Sequence, residues 1–382
     1  MNKHNSATYQ RSCSDSTIAH LQQLVSFDSQ NPPRAITVDS DIFVYLKAQL
    51  PGFEFSMLDA QEGCISLLAT RGKPTLLFNF HIDTVPIAPG WDSNPLELIV
   101  DEHKATALGA CDIKGASACM LSAVAQSNGD VALLFSSDEE HGSSQAIKQF
   151  LATEHGFTQV IVAEPTLGKA VMAHRGIQSA KAHFKGISGH GSEKRAISDS
   201  AVHKSAHWMS AALQWASEQN HVFDTLEGLP FNIGKIDGGI KGNMIAATCE
   251  ITFGFRPMPG QDSQQMLKQL SAASFCPLDS QDFTIEASFT GPTLPAANQD
   301  FATAIDKAQN LIDACQLQTG NAVNFWTEAS LFSQAGLTAI VFGPGDIAQA
   351  HTANEWVALS QLAKVEQHYI DILNMQTTSP KG

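Results

Sequence analysis

The sequence predicts an α/β protein: a central, mostly parallel sheet flanked by helices, interrupted by a smaller inserted module. Three observations predict it. Strand-sized apolar runs alternate with helical patterns over residues 1–175, the mark of a buried parallel sheet. The texture changes to short amphipathic elements over 176–290. The first texture then returns over 291–382, so the two flanking parts are expected to form one discontinuous domain.

The elements follow in order. Ile18, Leu21, Leu24 and Val25 have the spacing of an amphipathic helix from Asp15 to about Phe27, and "QNPPR" (30–34) ends it. Apolar runs at 65–69, 75–80, 131–135 and 160–163 read as strands, with a small-residue helix near 114–126. Within the insertion, "SAKAHFKG" (179–186) alternates as a half-buried strand does. A helix near 198–219 carries Val202, Ala206, Met209 and Leu213 on one stripe. Strands near 230–236 and 244–256, a helix near 262–273 and a strand at 282–289 complete a β-α-β-β-α-β, ferredoxin-like order. Helices at 300–315, 327–335 and 359–374 and the run "TAIVFG" (338–343) finish the larger domain.

Composition narrows the function. The 382 residues are 43% hydrophobic and 16% charged, enough to bury a sizeable core. A net charge of −15 argues against nucleic acid or an anionic membrane as partner. Seven cysteines, with no C-x-x-C, argue against a disulfide framework or a thiolate zinc cage. Residues 1–14 are polar and no run approaches ~18 apolar residues, so a soluble, cytoplasmic protein is expected.

In open α/β sheets, function gathers at the carboxyl ends of the strands. His81 and Asp83 follow "TLLFNF", and Asp138, Glu139 and Glu140 follow "VALLFSS". Glu164 follows "VIVA", while "PGDIAQAHTANE" after "TAIVFG" holds Asp346, His351 and Glu355. Asp112, in "GACDIKG", directly precedes the small-residue helix. Each alone has an ordinary explanation: a helix N-cap for Asp112, an acidic turn for "DEE", a solvated loop for His351. Their coincidence at one edge points instead to imidazole and carboxylate ligands for divalent cations, zinc above all. The set suffices for two ions, which would need one bridging carboxylate and leave another unligated as a base. There is no phosphate-binding G-x-x-x-x-G-K-[ST] and no G-x-S-x-G elbow.

The motifs "HIDTVP", "GACDIKG", "SSDEE", "AEPT", "GISGHGSEK", "GGIKGNMIAATCEITFGFRP" and "AHTANE", in that order, span nearly the whole chain. Together they resemble the zinc-dependent metallopeptidases of the aminoacylase and carboxypeptidase type, in the branch of the acetylornithine and N-acetyl-L-citrulline deacetylases. Cys111 and Ile113, on either side of Asp112, depart from the usual pattern. The resemblance implies two zinc ions, with cobalt an alternative: His81 and Glu164 on one, Glu140 and His351 on the other, Asp112 bridging. It makes Asp83 the acceptor for the other ring nitrogen of His81 and Glu139 the general acid/base. His190 would reach across a homodimer to polarise the scissile carbonyl. Asn243 and Arg256 would hold a substrate carboxylate. Glu328, in "NFWTEAS", would face the substrate side chain or simply start a helix.

The activity so implied is removal of acetyl from an Nα-acetyl amino acid, supplying arginine biosynthesis. Alternatives are a desuccinylase of succinyl-diaminopimelate, a general aminoacylase, a dipeptidase, or an inactive metal-binding relative.

Overall fold

The computed structural model describes residues 13–33, 35–272, 275 and 282–376. The polar first dozen residues, Cys276 and the last part of the helix expected near 262–273 lie outside them. In chain order the principal strands are β1 (Glu54–Asp59), β2 (Ile65–Arg71), β3 (Leu76–His81), β4 (Val131–Ser136) and β5 (Gln159–Val162), then β6 (Ile177–Lys185), β7 (Phe231–Gly238), β8 (Thr248–Phe255), β9 (Phe283–Gly291) and β10 (Thr338–Val341). The principal helices are α1 (Asp15–Ser26), α2 (Asp41–Gln49), α3 (Lys114–Ala125), α4 (Gln145–Leu151), α5 (Ala201–Ser217), α6 (Ser263–Ser271), α7 (Phe301–Ala314), α8 (Ala329–Gln334) and α9 (Leu359–Gln376).

The chain divides into two compact units. The first takes the chain up to Met172, Asp306–Gly320 and everything from Thr327. The second takes Ala173–Ile305 and Asn321–Trp326. Gly291–Ile305 and Asn321–Trp326 thus belong with the second unit, whereas the sequence reading puts both in the first.

In the first unit, the six-stranded sheet runs β1-β2-β4-β3-β5-β10. The β4/β3, β3/β5 and β5/β10 pairs are parallel, and β2 and β1 extend one edge as an antiparallel pair. Every residue of β3 and β4 is buried, because helices cover both faces of a parallel sheet. Phe80 stacks on Phe135 across the β3/β4 pair, and Tyr369 of α9 meets Phe78 edge-on. Helix α3 is built of small residues and buried almost throughout, which lets α1 and α9 pack closely on it. The Ser14 side chain caps α1 by accepting from the Thr17 N–H. The parallel strands all end at the same edge, where the motif residues lie.

The edge strand β1 escapes the sequence reading because most of its side chains face solvent and "EFSMLD" shows no buried stripe. A small three-stranded sheet, Trp356–Ala358 with Lys104–Thr106 and Ile99–Val100, also escapes it; its strands have two or three residues each.

In the second unit, the antiparallel sheet β7-β8-β6-β9 arises from the chain order β-α-β-β-α-β. Along β6, Gln178, Ala180, Ala182 and Phe184 point inward, alternating with more exposed neighbours. Trp208 of α5 is fully buried among Phe184, Phe253 and Phe283, and its indole N–H donates to the Leu270 carbonyl of α6. No described helix is long and apolar enough to cross a membrane.

Candidate metal centre

His81 is the last residue of β3 and is buried. Its Nδ1 lies 3.1 Å from the main-chain carbonyl oxygen of Asp83. A carbonyl only accepts, so Nδ1 carries the hydrogen, and in the neutral ring Nε2 is left with its lone pair. The expected carboxylate contact is longer, 3.6 Å to Asp83 Oδ1. The main chain therefore sets the tautomer, and the buried carboxylate adds negative charge behind it.

On its other side, His81 Nε2 lies 3.0 Å from Asp112 Oδ1 and 3.9 Å from Glu164 Oε1. The second oxygen of Asp112 is directed at the other histidine, 3.4 Å from His351 Nε2. His351 Nε2 is in turn 3.0 Å from Glu140 Oε1. Asp112 thus stands between two imidazoles, one oxygen to each.

Three overlapping groups have ligand atoms within 4.8 Å of one another: His81, Asp112 and Glu164; Asp112, Glu140 and His351; and His81, Glu139 and Glu140. The first two share Asp112. All the donors are oxygen or imidazole nitrogen, the set that suits a hard or borderline divalent cation. The Cys111 thiol donates to the Asp346 carbonyl and belongs to none of these groups.

Local folding explains the placement. Asp112 sits in the turn before α3, with a cis peptide bond to Ile113. Glu164 follows β5, where a Cβ on Gly343 would lie 2.6 Å from the Glu164 carbonyl oxygen. Glycine alone permits that approach of the segment after β10. His351 has a left-handed φ of 59° in a loop pinned to Asp92 by both amide atoms of Asn354. Asp138 takes part in none of the three donor groups. Its carboxylate accepts the Gln145 and Ala146 N–H groups and so caps α4.

The electrostatics follow from crowding. Burial, then Glu164 and Glu140, pushes the Glu139 carboxyl well above its usual range. Burial and then Asp112 push Glu164 up in the same way. Burial alone would raise Asp112 too, but the bonds from His351 and His81 outweigh it and hold the carboxylate low. His351 is driven up to about 10 by Asp112 and Glu140. Burial opposes protonation of His81, yet Asp112 and Asp83 raise it well above the usual imidazole value. Four acidic side chains facing two imidazoles form a site short of positive charge.

Glu328 stands at the start of α8, nearly inaccessible, and its Oε2 accepts from the Ser136 hydroxyl. Burial and then Asp138 raise its carboxyl to about 8. Two residues to which the family resemblance gave no role belong to this region, Glu355 having been only one of the sheet-edge carboxylates. Glu355, within "AHTANE", is buried and accepts main-chain N–H groups of the Asp112 turn. Lys114, within "GACDIKG", is buried, and its ammonium donates to the Phe27 carbonyl. Their signal was a charged residue inside each motif.

The other three expected residues lie in the second unit. His190 and Asn243 are brought together: the Gly189–His190 and Met244–Ile245 strands pair, and Gly191 N–H donates to the Asn243 carbonyl. The His190 ring is exposed, with Nδ1 2.7 Å from the Ser192 hydroxyl. Arg256 follows β8 and is half-buried, and burial lowers its guanidinium. Its carbonyl accepts from Arg175, a buried cation bonded also to Asn324, Gly228 and Glu227.

This chain is similar to known proteins in fold and in sequence. Among solved structures, an aminopeptidase PepT of Bacillus cereus matches with a TM-score of 0.72 at 17% identity, covering 95% of this chain and 98% of that one. A dinuclear metal-binding peptidase of the M20 family from Bacillus subtilis matches with a TM-score of 0.60 at 14% identity, covering 94% and 98%. These likenesses concern the fold. In sequence, the N-acetyl-L-citrulline deacetylase of Xanthomonas campestris pv. campestris is 48% identical over 363 residues, 94% of this chain and 96% of the relative. The acetylornithine deacetylase of Myxococcus xanthus is 28% identical, covering 91% and 94%. The family model for peptidase family M20/M25/M40 matches residues 77–375. That span holds every residue of the donor groups, and with the 48% identity it places this chain among the hydrolases of peptidase family M20/M25/M40.

Proposed function

We propose that the chain is a two-metal amidohydrolase that removes the acetyl group from N-acetyl-L-citrulline, releasing acetate and the free amino acid in the cytoplasm. The carrying observation is Asp112, one oxygen directed at His81 and the other at His351, with Glu139 alongside. His81 and Glu164 would hold one ion, Glu140 and His351 the other, with Asp112 between them. Zinc suits the nitrogen and oxygen donors, and cobalt would suit them too. The substrate follows the 48% identical relative, against 28% for the acetylornithine deacetylase above.

When bound, such ions supply Lewis-acid polarisation of the acyl carbonyl and acidify a water. The chain's residues do the rest. Glu139 takes a proton from the attacking water and returns it to the departing amine, a shuttle suited to a carboxyl whose pKa is raised. Asp83, through its carbonyl, keeps the hydrogen on His81 Nδ1 and Nε2 turned towards Asp112. From the second unit, Asn243 and Arg256 would hold the substrate carboxylate, Arg256 through its planar fork. A homodimer formed through that unit, with His190 serving the partner's substrate, accords with exposed Ile187, Ile236, Ile240 and Met244 on its surface.

The test is kcat/KM on acetylcitrulline, acetylornithine, acetylmethionine and succinyl-diaminopimelate, with metal content measured on the same sample. Acetylcitrulline is expected to lead by at least tenfold, with up to two ions per chain. Equal or better turnover of the succinyl substrate, or full activity in metal-free protein, would sink the reading.

A further inference from the structure

From the environment of Glu355, we infer that this residue is a positioning residue for the metal centre: its carboxylate clasps the turn that presents Asp112 and ties it to the loop that presents His351. The inference rests on the two-ion reading above. Glu355 is 1% exposed, so its charge is removed from water. Its Oε1 accepts the N–H groups of Cys111 at 2.8 Å and Asp112 at 2.9 Å, and its Oε2 accepts that of Gly109 at 3.0 Å. The bonds span more than 240 residues of sequence and converge on one short turn.

The geometry makes this more than local packing. The amide N–H of Asp112 is fixed by Glu355 while its carboxylate reaches His81 and His351. The Asp112 backbone therefore has little freedom to rotate the carboxylate away from either histidine. On the other side, the Glu355 carbonyl accepts from Ala107 N–H, and Trp356–Ala358 pairs with Lys104–Thr106. The clasp is thus rooted in a ladder and stands four residues from His351. Lys114, buried in the same turn, supplies a compensating positive charge. Three bonds from main-chain donors converge on this one carboxyl group, and leaving those buried donors without an acceptor is costly.

The experiment uses full-length wild-type protein and the Glu355→Ala and Glu355→Gln variants. Each is stripped of metal and titrated with zinc against a chromophoric chelator, with Tm recorded for the metal-free forms. Glu355→Ala is expected to weaken binding of at least one ion tenfold or more, the range found when partners of metal ligands are removed. At saturating zinc its kcat should fall with KM for the acyl substrate little changed. Glu355→Gln retains an oxygen for Cys111 and Asp112 but sets an amide N–H against Gly109, so it should recover only part of the affinity and stay several-fold weaker than wild type. If Glu355→Ala does not fold, Glu355→Gln carries the test through a several-fold loss of affinity. Zinc affinities and kcat within twofold of wild type in the folded variants, with only Tm lowered, would overturn the inference. A wild type that binds no zinc would overturn the two-ion reading instead.

Discussion

Asp83 and Glu140 are joined main chain to side chain: the Glu140 N–H donates to Asp83 Oδ2 at 3.1 Å, while Asp83 Oδ1 faces His81 Nδ1 at 3.6 Å. One buried carboxylate therefore touches both halves of the donor set, through an imidazole on β3 and the backbone after β4. Asn31 Nδ2 also points at Asp83 Oδ2, at 3.4 Å, and donates to the Ser137 carbonyl. Asp83→Asn keeps the shape but removes the charge and sets an amide N–H against one of these donors. Its kcat should fall ~10–100-fold, with weaker zinc binding and KM little changed. Chelator competition together with steady-state kinetics checks this. A change confined to KM would move Asp83 to substrate binding.

Glu140 Oε1 lies 3.0 Å from His351 Nε2, whereas among the described residues no hydrogen bond joins the Glu139 side chain to either histidine, so it is free to exchange a proton. Glu139→Gln should therefore keep both ions and lose ~10²–10⁴-fold in kcat, the usual span for general acid/base removal. Metal analysis of the same preparation separates the two roles. Loss of an ion would make Glu139 a ligand instead.

The metal-free cluster stores protons. His351, driven up to about 10, holds a proton at neutral pH, and His81 is raised well above its usual value in the same direction. Cations must displace these protons from Nε2, so binding should release protons and affinity should rise with pH. At pH 7, about one proton per chain from His351, and more as His81, Glu139 and Glu164 contribute, is expected once both sites fill. Calorimetry in two buffers of different ionisation enthalpy measures the number. A value near zero would mean that the cations bind elsewhere.

Much of this was legible before any coordinates. The β3, β4 and β5 runs are mostly apolar because their strands are buried on both faces, Asn79 being the polar exception inside β3, and imidazole or carboxylate residues stand out within a few positions of each run's end. Reading past each run, and before α3, collects a wider set that includes Asp83, Asp138, Glu139, Asp346 and Glu355; the resemblance singled out His81, Asp112, Glu140, Glu164 and His351 from it, and the structure brings those five together. Partners made by main-chain groups were not legible. Nothing in "HIDTVP" says that His81 meets the Asp83 carbonyl before its carboxylate, and nothing in "AHTANE" says that Glu355 faces three backbone amides. Such bonds depend on turn geometry, which residue type records only at occasional glycines.

Glu328 yields a prediction whose sign can be worked out. Burial, then Asp138, raises its carboxyl from 4.5 to about 8. Between those values the folded protein keeps a proton that the unfolded chain has lost, so stability attributable to this group is present below about 4.5 and declines as pH rises to about 8. Glu328→Gln cannot titrate and can still accept from Ser136. The Tm of metal-free Glu328→Gln minus that of metal-free wild type should therefore be small near pH 5 and grow by several degrees, roughly, towards pH 8. Scanning fluorimetry at three pH values measures the difference. A gap that stays constant with pH would mean that Glu328 is ionised in the fold, balanced by a positive charge that the metal-free cluster already supplies.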